Sequence, residues 1–249
     1  CRSLATMRID LYLVDRGVYP TRNRAQEAIK QGLILINGQI IAKPSHDVSE
    51  NDVVSTSDEM KYVARSGNKL AMAIAEVDHD FTDKNVLDLG ASTGGFTQVA
   101  LQRGARHVVA VDVGSDQLEE SLRNDPRVTS MENTDARELA MNPLSRHFDI
   151  LLMDVSFISG RKILAARVPV LKAPLFAYVL IKPQFEVGQA NVNDRGIVKN
   201  QRAVDAMLDE YRAFLKDYGC KIKSLFPCGF KGKEGNIEYF VVFEKTEIS

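Results

Sequence analysis

Asp88-Leu-Gly-Ala-Ser-Thr-Gly-Gly-Phe-Thr97 carries an apolar run, Val86–Leu89, straight into a glycine-rich turn and then into a helical pattern over 95–103. Gly90, Gly94 and Gly95 let the backbone turn tightly and approach a ligand closely. The helix that starts there offers free N–H groups to a carboxylate or phosphate. The next strand, Val108–Asp112, ends in an acid 22 residues after Gly90. An acid at that place takes the two ribose hydroxyls of a nucleoside cofactor.

The spacing is not GxGxxG, which counts against a dinucleotide. Strand, DxGxxxGG, helix and a second strand ending in aspartate make the general pattern of a methyltransferase cofactor site. Glycines alone fit a simple packing turn just as well; Asp112 tips the reading toward the cofactor.

Outward from this run the chain alternates. A helix over 67–77 precedes it. A helix (116–123), a strand (Val128–Met131), a strand (Phe148–Asp154), a helix (159–171) and a strand (Phe176–Ile181) follow. A long helix (200–218) and two strands, Ile222–Phe226 and Tyr239–Phe243, close the chain. This alternation predicts an α/β, Rossmann-like domain over 67–249, with a mostly parallel seven-stranded sheet and helices on both faces. Ligands of such sheets sit at the carboxyl ends of the strands.

The fourth of these strands ends in Asp154, within Leu-Leu-Met-Asp-Val-Ser-Phe, and the fifth in Lys182, within Val-Leu-Ile-Lys-Pro. Both charges end apolar runs, a costly placement unless they pair. Lys69 lies ahead of the first strand, and Glu238 opens the last. Two lysines and two acids from four elements suit transfer to a hydroxyl. A ribose 2′-hydroxyl is a poor nucleophile until its proton is removed, and a neutral lysine amine is a competent base for that. Lys182 is the expected base. Lys69 nearby favours the neutral amine, Asp154 opposes that and orients it, and Glu238 holds Lys69 or the ribose. Scattered rim salt bridges are the competing explanation for each residue taken singly.

Residues 7–60 read as a separate small α+β module, with 61–66 as linker. A short helix ends at Gly17, and Thr21 caps a helix from Arg22 to Lys30. Asn37-Gly38 joins Leu33–Ile36 to Gln39–Ala42 as a hairpin, and Val53–Ser55 is a third strand. Between residues 7 and 43 there are six Arg or Lys against three Asp or Glu. Arg22, Arg24 and Lys30 are expected to share an exposed face that meets phosphates.

The bulk composition excludes more than it assigns. Over 249 residues, 32 Lys and Arg balance 33 Asp and Glu, so nucleic-acid affinity must come from a local patch. Cys1, Cys220 and Cys228 form no CxxC, and a reduced, cytoplasmic setting is expected. No apolar stretch is long enough to span a bilayer as a helix, and no signal peptide is visible. Residues 1–6, ahead of Met7, read as an upstream extension. His46, His79, His107 and His147 are far apart, so no metal is expected.

In combination, DLGASTGGFT, DVSFIS, the run Lys182-Pro183-Gln184-Phe185-Glu186 and Arg195-Gly196 resemble the hemolysin A, or TlyA, family of RNA methyltransferases. The large domain is similar to FtsJ-type ribose 2′-O-methyltransferases. That resemblance implies S-adenosylmethionine held by Gly90, Ala91, Ser92, Thr93, Gly94, Gly95 and Phe96, its ribose on Asp112, and Asp135 and Ala136 near the adenine. It also implies a catalytic set of Lys69, Asp154, Lys182 and Glu238. Residues 7–60 resemble the S4 RNA-binding module through Arg8-Ile-Asp, Thr21-Arg22, Arg24-Ala25, Gly32, Asn37-Gly38 and Pro44, which makes Arg8 a further RNA contact. The implied activity is 2′-O-ribose methylation of RNA, with ribosomal RNA or a ribosomal subunit as partner. Two alternatives stay open: a hemolysin-like membrane-active protein, and an RNA-binding protein whose large domain is non-catalytic or methylates a nucleobase. Pro227-Cys228 suits a cytosine-methylating nucleophile only poorly, because that cysteine belongs at the end of the fourth strand.

Overall fold

Five strands carry the sheet of the large unit, four of them largely buried and the fifth, Val128–Met131, partly exposed at its edge. They are β6 (Asn85–Leu89), β7 (His107–Val111), β8 (Val128–Met131), β9 (Ile150–Met153) and β10 (Leu175–Ile181). The structure, a computed structural model, describes residues 6–19, 21–30, 32–37, 39–41, 43–56, 62–139 and 147–246. The chain divides into two compact units, Cys1–Lys61 and Tyr62–Ser249.

The large unit has one seven-stranded sheet of order β11-β12-β10-β9-β6-β7-β8, where β11 is Cys220–Pro227 and β12 is Tyr239–Lys245. The strands β10, β9, β6, β7 and β8 run parallel, and β12 lies antiparallel to both β10 and β11. Side chains alternate between two cores, as the period of a strand requires. Val86, Val108, Ile150, Leu152 and Tyr178 pack with α3 (Arg65–Glu76) and α4 (Gly95–Gln102). Leu87, Val109, Leu151, Met153 and Val179 pack with α6 (Gly160–Arg167) and α7 (Gln201–Asp217). The strand order reverses between β6 and β9. The loops leaving these two strands therefore diverge and open a crevice at the switch point.

Three sequence boundaries need correction. The helix expected over 116–123 is only α5 (Glu120–Arg123). The Glu132 carboxylate accepts the N–H groups of Asp116, Gln117 and Leu118, and these bonds replace a helical turn there. The helix placed at 159–171 stops at Arg167. Helix α3 begins at Arg65, inside the stretch read as linker.

In the small unit, α1 (Ile9–Asp15) and α2 (Arg22–Lys30) cover a three-stranded sheet of order β3-β2-β5, made of β2 (Ile34–Ile36), β3 (Gln39–Ile40) and β5 (Val54–Thr56). Ile9, Leu13, Ala25, Ile29 and Ile34 form its core. The hairpin turn is entered by Asn37 in a left-handed conformation; Gly38 lies outside the described residues. An additional pair, β1 (Met7–Arg8) with β4 (Asp47–Val48), was not legible in the sequence.

Candidate active site

Strand β6 delivers the glycine loop into the crevice. A Cβ at Gly90 would overlap the carbonyl oxygen of Asp154, at Gly94 the side chains of Leu118 and Leu122, and at Gly95 the Ser66 hydroxyl. The space these glycines free is thus filled by protein, which draws β9, α5 and α3 against the loop. Ala91 is buried behind the turn, and Ser92 and Thr93 stand exposed at its crest. Phe96 and Thr97 are buried in the first turn of α4.

Asp112 follows β7 and is half-buried. Its Oδ2 accepts the N–H of Ser92 and its Oδ1 that of Gly114, both at 2.8 Å. Each carboxylate oxygen keeps a free lone pair, the acceptor set that two vicinal hydroxyls require. Thr134 donates its N–H to the Asp112 carbonyl at 2.9 Å, which brings Asp135 and Ala136 beside this strand end. Asp135 is clamped by Arg137 at 2.5 Å, and the hydrogen bonds from that residue hold its carboxyl down at about 2. Buried Arg167 fixes the same turn through the carbonyls of Leu139 (2.6 Å) and Arg137 (2.7 Å). A half-buried carboxylate with a lone pair left on each oxygen, beside exposed groups at the loop crest, fits a nucleoside cofactor with a polar tail.

The four candidate chemical groups come together as two ion pairs. Asp154 leaves β9 with its N–H on the Leu89 carbonyl, beside the glycine loop. Lys182 Nζ lies 2.6 Å from Asp154 Oδ1 and donates to Ser156 Oγ at 2.9 Å. Ile181 is paired with Tyr239, so Lys182 and Glu238 stand opposite one another at adjacent strand ends. Buried Lys69, from α3, pairs with Glu238, itself only 2% exposed. Losing one member of such a buried pair costs about 3–5 kcal/mol. Sequence reasoning missed Ser156 as a Lys182 partner, although it lies within the quoted DVSFIS.

The RNA candidates divide. Arg8 and Arg22 both bind Asp10, which is fully buried. Burial raises the Asp10 carboxyl, and hydrogen bonds from Gln26, Arg8 and Arg22 more than offset it, to about 2. Arg8 and Arg22 thus hold α1 to α2 while staying half-exposed. Arg24 and Lys30 are exposed and make no ion pair among the described residues.

A seven-stranded sheet of this order, with a glycine-rich loop after its first strand and a carboxylate after its second, has the architecture of the Rossmann-like methyltransferases. Residues 62–245 match the FtsJ-like methyltransferase model, residues 7–54 match the S4 domain, and the chain belongs to the FtsJ-like methyltransferase family. It is 39% identical over 238 residues to the 16S/23S rRNA (cytidine-2′-O)-methyltransferase TlyA of Mycobacterium tuberculosis, covering 94% of this chain and 88% of that one. It is 36% identical over 238 residues to Hemolysin A of Brachyspira hyodysenteriae, covering 95% and 99%. A solved chain from Streptococcus thermophilus, described as a hemolysin, superposes with a TM-score of 0.74 at 36% identity, covering 98% of this chain and 90% of that one. No helix among the described residues is long and apolar enough to cross a membrane.

Proposed function

We propose that this protein methylates a ribose 2′-hydroxyl of ribosomal RNA, in the cytoplasm, with S-adenosylmethionine as donor. The observation that carries the reading is the Lys182–Asp154 pair at the rim of the glycine loop. The 2′-O activity printed for the Mycobacterium tuberculosis relative, and the cytidine it names, support it.

Bound S-adenosylmethionine supplies an electrophilic methyl group. Asp112 and the loop from Gly90 to Phe96 hold the cofactor, with Asp135 and Ala136 beside its base. Lys182, once its ammonium has given up a proton, accepts the proton of the 2′-hydroxyl on the neutral amine. Asp154 and Ser156 aim its amine, and the pairing of Asp154 with the departing proton's charge steadies the transition state. Lys69 and Glu238 neutralise one another and fix the far wall. Arg24 and Lys30 anchor the RNA through the small unit, with Arg8 and Arg22 in support.

The test is transfer of labelled methyl from S-adenosylmethionine to isolated ribosomal RNA or subunits. Lys182→Ala abolishes transfer and leaves cofactor affinity within about two-fold, since the amine acts in the transition state. Lys182→Arg fails as well, because a guanidinium does not give up its proton near neutral pH. Full transfer by Lys182→Ala contradicts the mechanism.

A further inference from the structure

We infer that Glu186 is a positioning residue that sets the Asp154–Lys182 geometry, an inference that rests on the proposed reaction. Glu186 sits on the loop after β10 with its side chain 2% exposed. Three hydrogen-bond donors and one guanidinium converge on it. Oε1 accepts the Gly160 N–H at 2.7 Å and the Tyr211 hydroxyl at 2.5 Å. Oε2 accepts the Ser159 hydroxyl at 2.7 Å and lies 3.7 Å from Arg161 Nε.

These contacts close a ring around the base. From Lys182 the chain makes a single 3-10 turn, Pro183–Phe185, whose bonds run from Phe185 N–H to the Lys182 carbonyl and from Glu186 N–H to the Pro183 carbonyl. Glu186 then clamps Ser159 and Gly160, which end the loop that began at Asp154. That loop returns to Lys182 through Ser156 Oγ. Tyr211, fully buried in α7, ties the ring to the helix layer. Burial and the adjacent Glu186 charge push the Tyr211 hydroxyl well above its ordinary range, so it stays a donor. No slack exists behind it: a Cβ at Gly160 would lie 2.7 Å from the Tyr211 oxygen and 2.9 Å from Met153 Cε. The two loops that carry base and orienting acid are therefore locked together by one carboxylate.

A displacement of about 1 Å between reacting groups lowers a rate about 100-fold. With full-length protein, ribosomal RNA and S-adenosylmethionine, Glu186→Ala is expected to lower kcat about 100-fold, with cofactor Kd and RNA KM within about two-fold. Glu186→Gln keeps Oε1 for Gly160 and Tyr211 while Ser159 turns to accept, and it is expected to recover kcat to within about ten-fold of wild type. Wild-type kcat in Glu186→Ala overturns the inference, as does a kcat loss matched by loss of cofactor affinity. If the alanine variant does not fold, Tyr211→Phe carries the same test: a several-fold lower kcat at unchanged affinities supports it, and an unchanged kcat overturns it. Wild-type protein that puts no methyl on ribose defeats the proposed function instead, which separates the two failures.

Discussion

Asp88 shows how a residue inside the cofactor motif serves the fold. It is fully buried, with Oδ2 accepting the Thr97 hydroxyl at 2.7 Å and Oδ1 without a hydrogen-bond partner among the described residues. Burial pushes its carboxyl up, Thr97 offsets part of that, and the charges of Asp154 and Asp112 add to it, leaving it at about 7. In the unfolded chain it returns to 3.8. Between those values the native state holds a proton that the unfolded state has lost, so this residue's contribution to stability falls as pH rises from about 4 to 7 and is level above that. Asp88→Asn keeps an oxygen acceptor for Thr97 and does not titrate. Urea unfolding followed by circular dichroism should show the variant gaining on wild type by ~4 kcal/mol between pH 4 and pH 8, at about 1.4 kcal/mol per unit. Parallel pH dependence of the two proteins would remove Asp88 as the titrating group.

The elements were legible wherever a local pattern fixed them. The β6 run, the glycine turn and the start of α4 followed from an apolar strand meeting three glycines, and α2 is bounded by the predicted residues, with Thr21 Oγ1 accepting the Arg24 N–H at 3.4 Å. Elements set by distant partners were not. Nothing near 116–119 announces that Glu132 will take its N–H groups, and the β1–β4 pair joins two-residue segments about 40 positions apart. At the site, Asp112, Asp154, Lys182 and Glu238 were visible as charges at strand ends. The Lys182-Pro-Gln-Phe-Glu186 run is distinctive in sequence, but the role of Glu186 depends on Tyr211, 25 residues on. The same limit hid Asp10 as the partner of Arg22, 12 residues on, which sharpens the test of α2. Arg24→Glu with Lys30→Glu should weaken RNA binding, reduce its salt slope by roughly two and leave thermal melting unchanged. Arg22→Glu should weaken binding and also lower the melting temperature, because it sets a carboxylate against buried Asp10. RNA affinity untouched by the Arg24 and Lys30 pair would dismiss this face as the anchor.

At the scale of the whole molecule, an S4 unit is joined to an FtsJ-like methyltransferase unit, so one chain holds both an RNA-binding module and a methyl-transfer site. Neither Cys220 nor Cys228 belongs to that chemistry: both are buried, and burial pushes both thiols up, the opposite of what a nucleophilic thiolate needs. Strand β9 ends in a carboxylate paired with an amine, an arrangement suited to deprotonating a hydroxyl. The atom that receives the methyl group therefore separates ribose from base methylation. Ribosomal RNA labelled by the wild-type protein, hydrolysed in alkali, measures this directly. A 2′-O-methyl group removes the nucleophile that attacks the adjacent phosphate, so the label should emerge in an alkali-resistant dinucleotide. Label recovered in single nucleotides, on a base, would contradict the account.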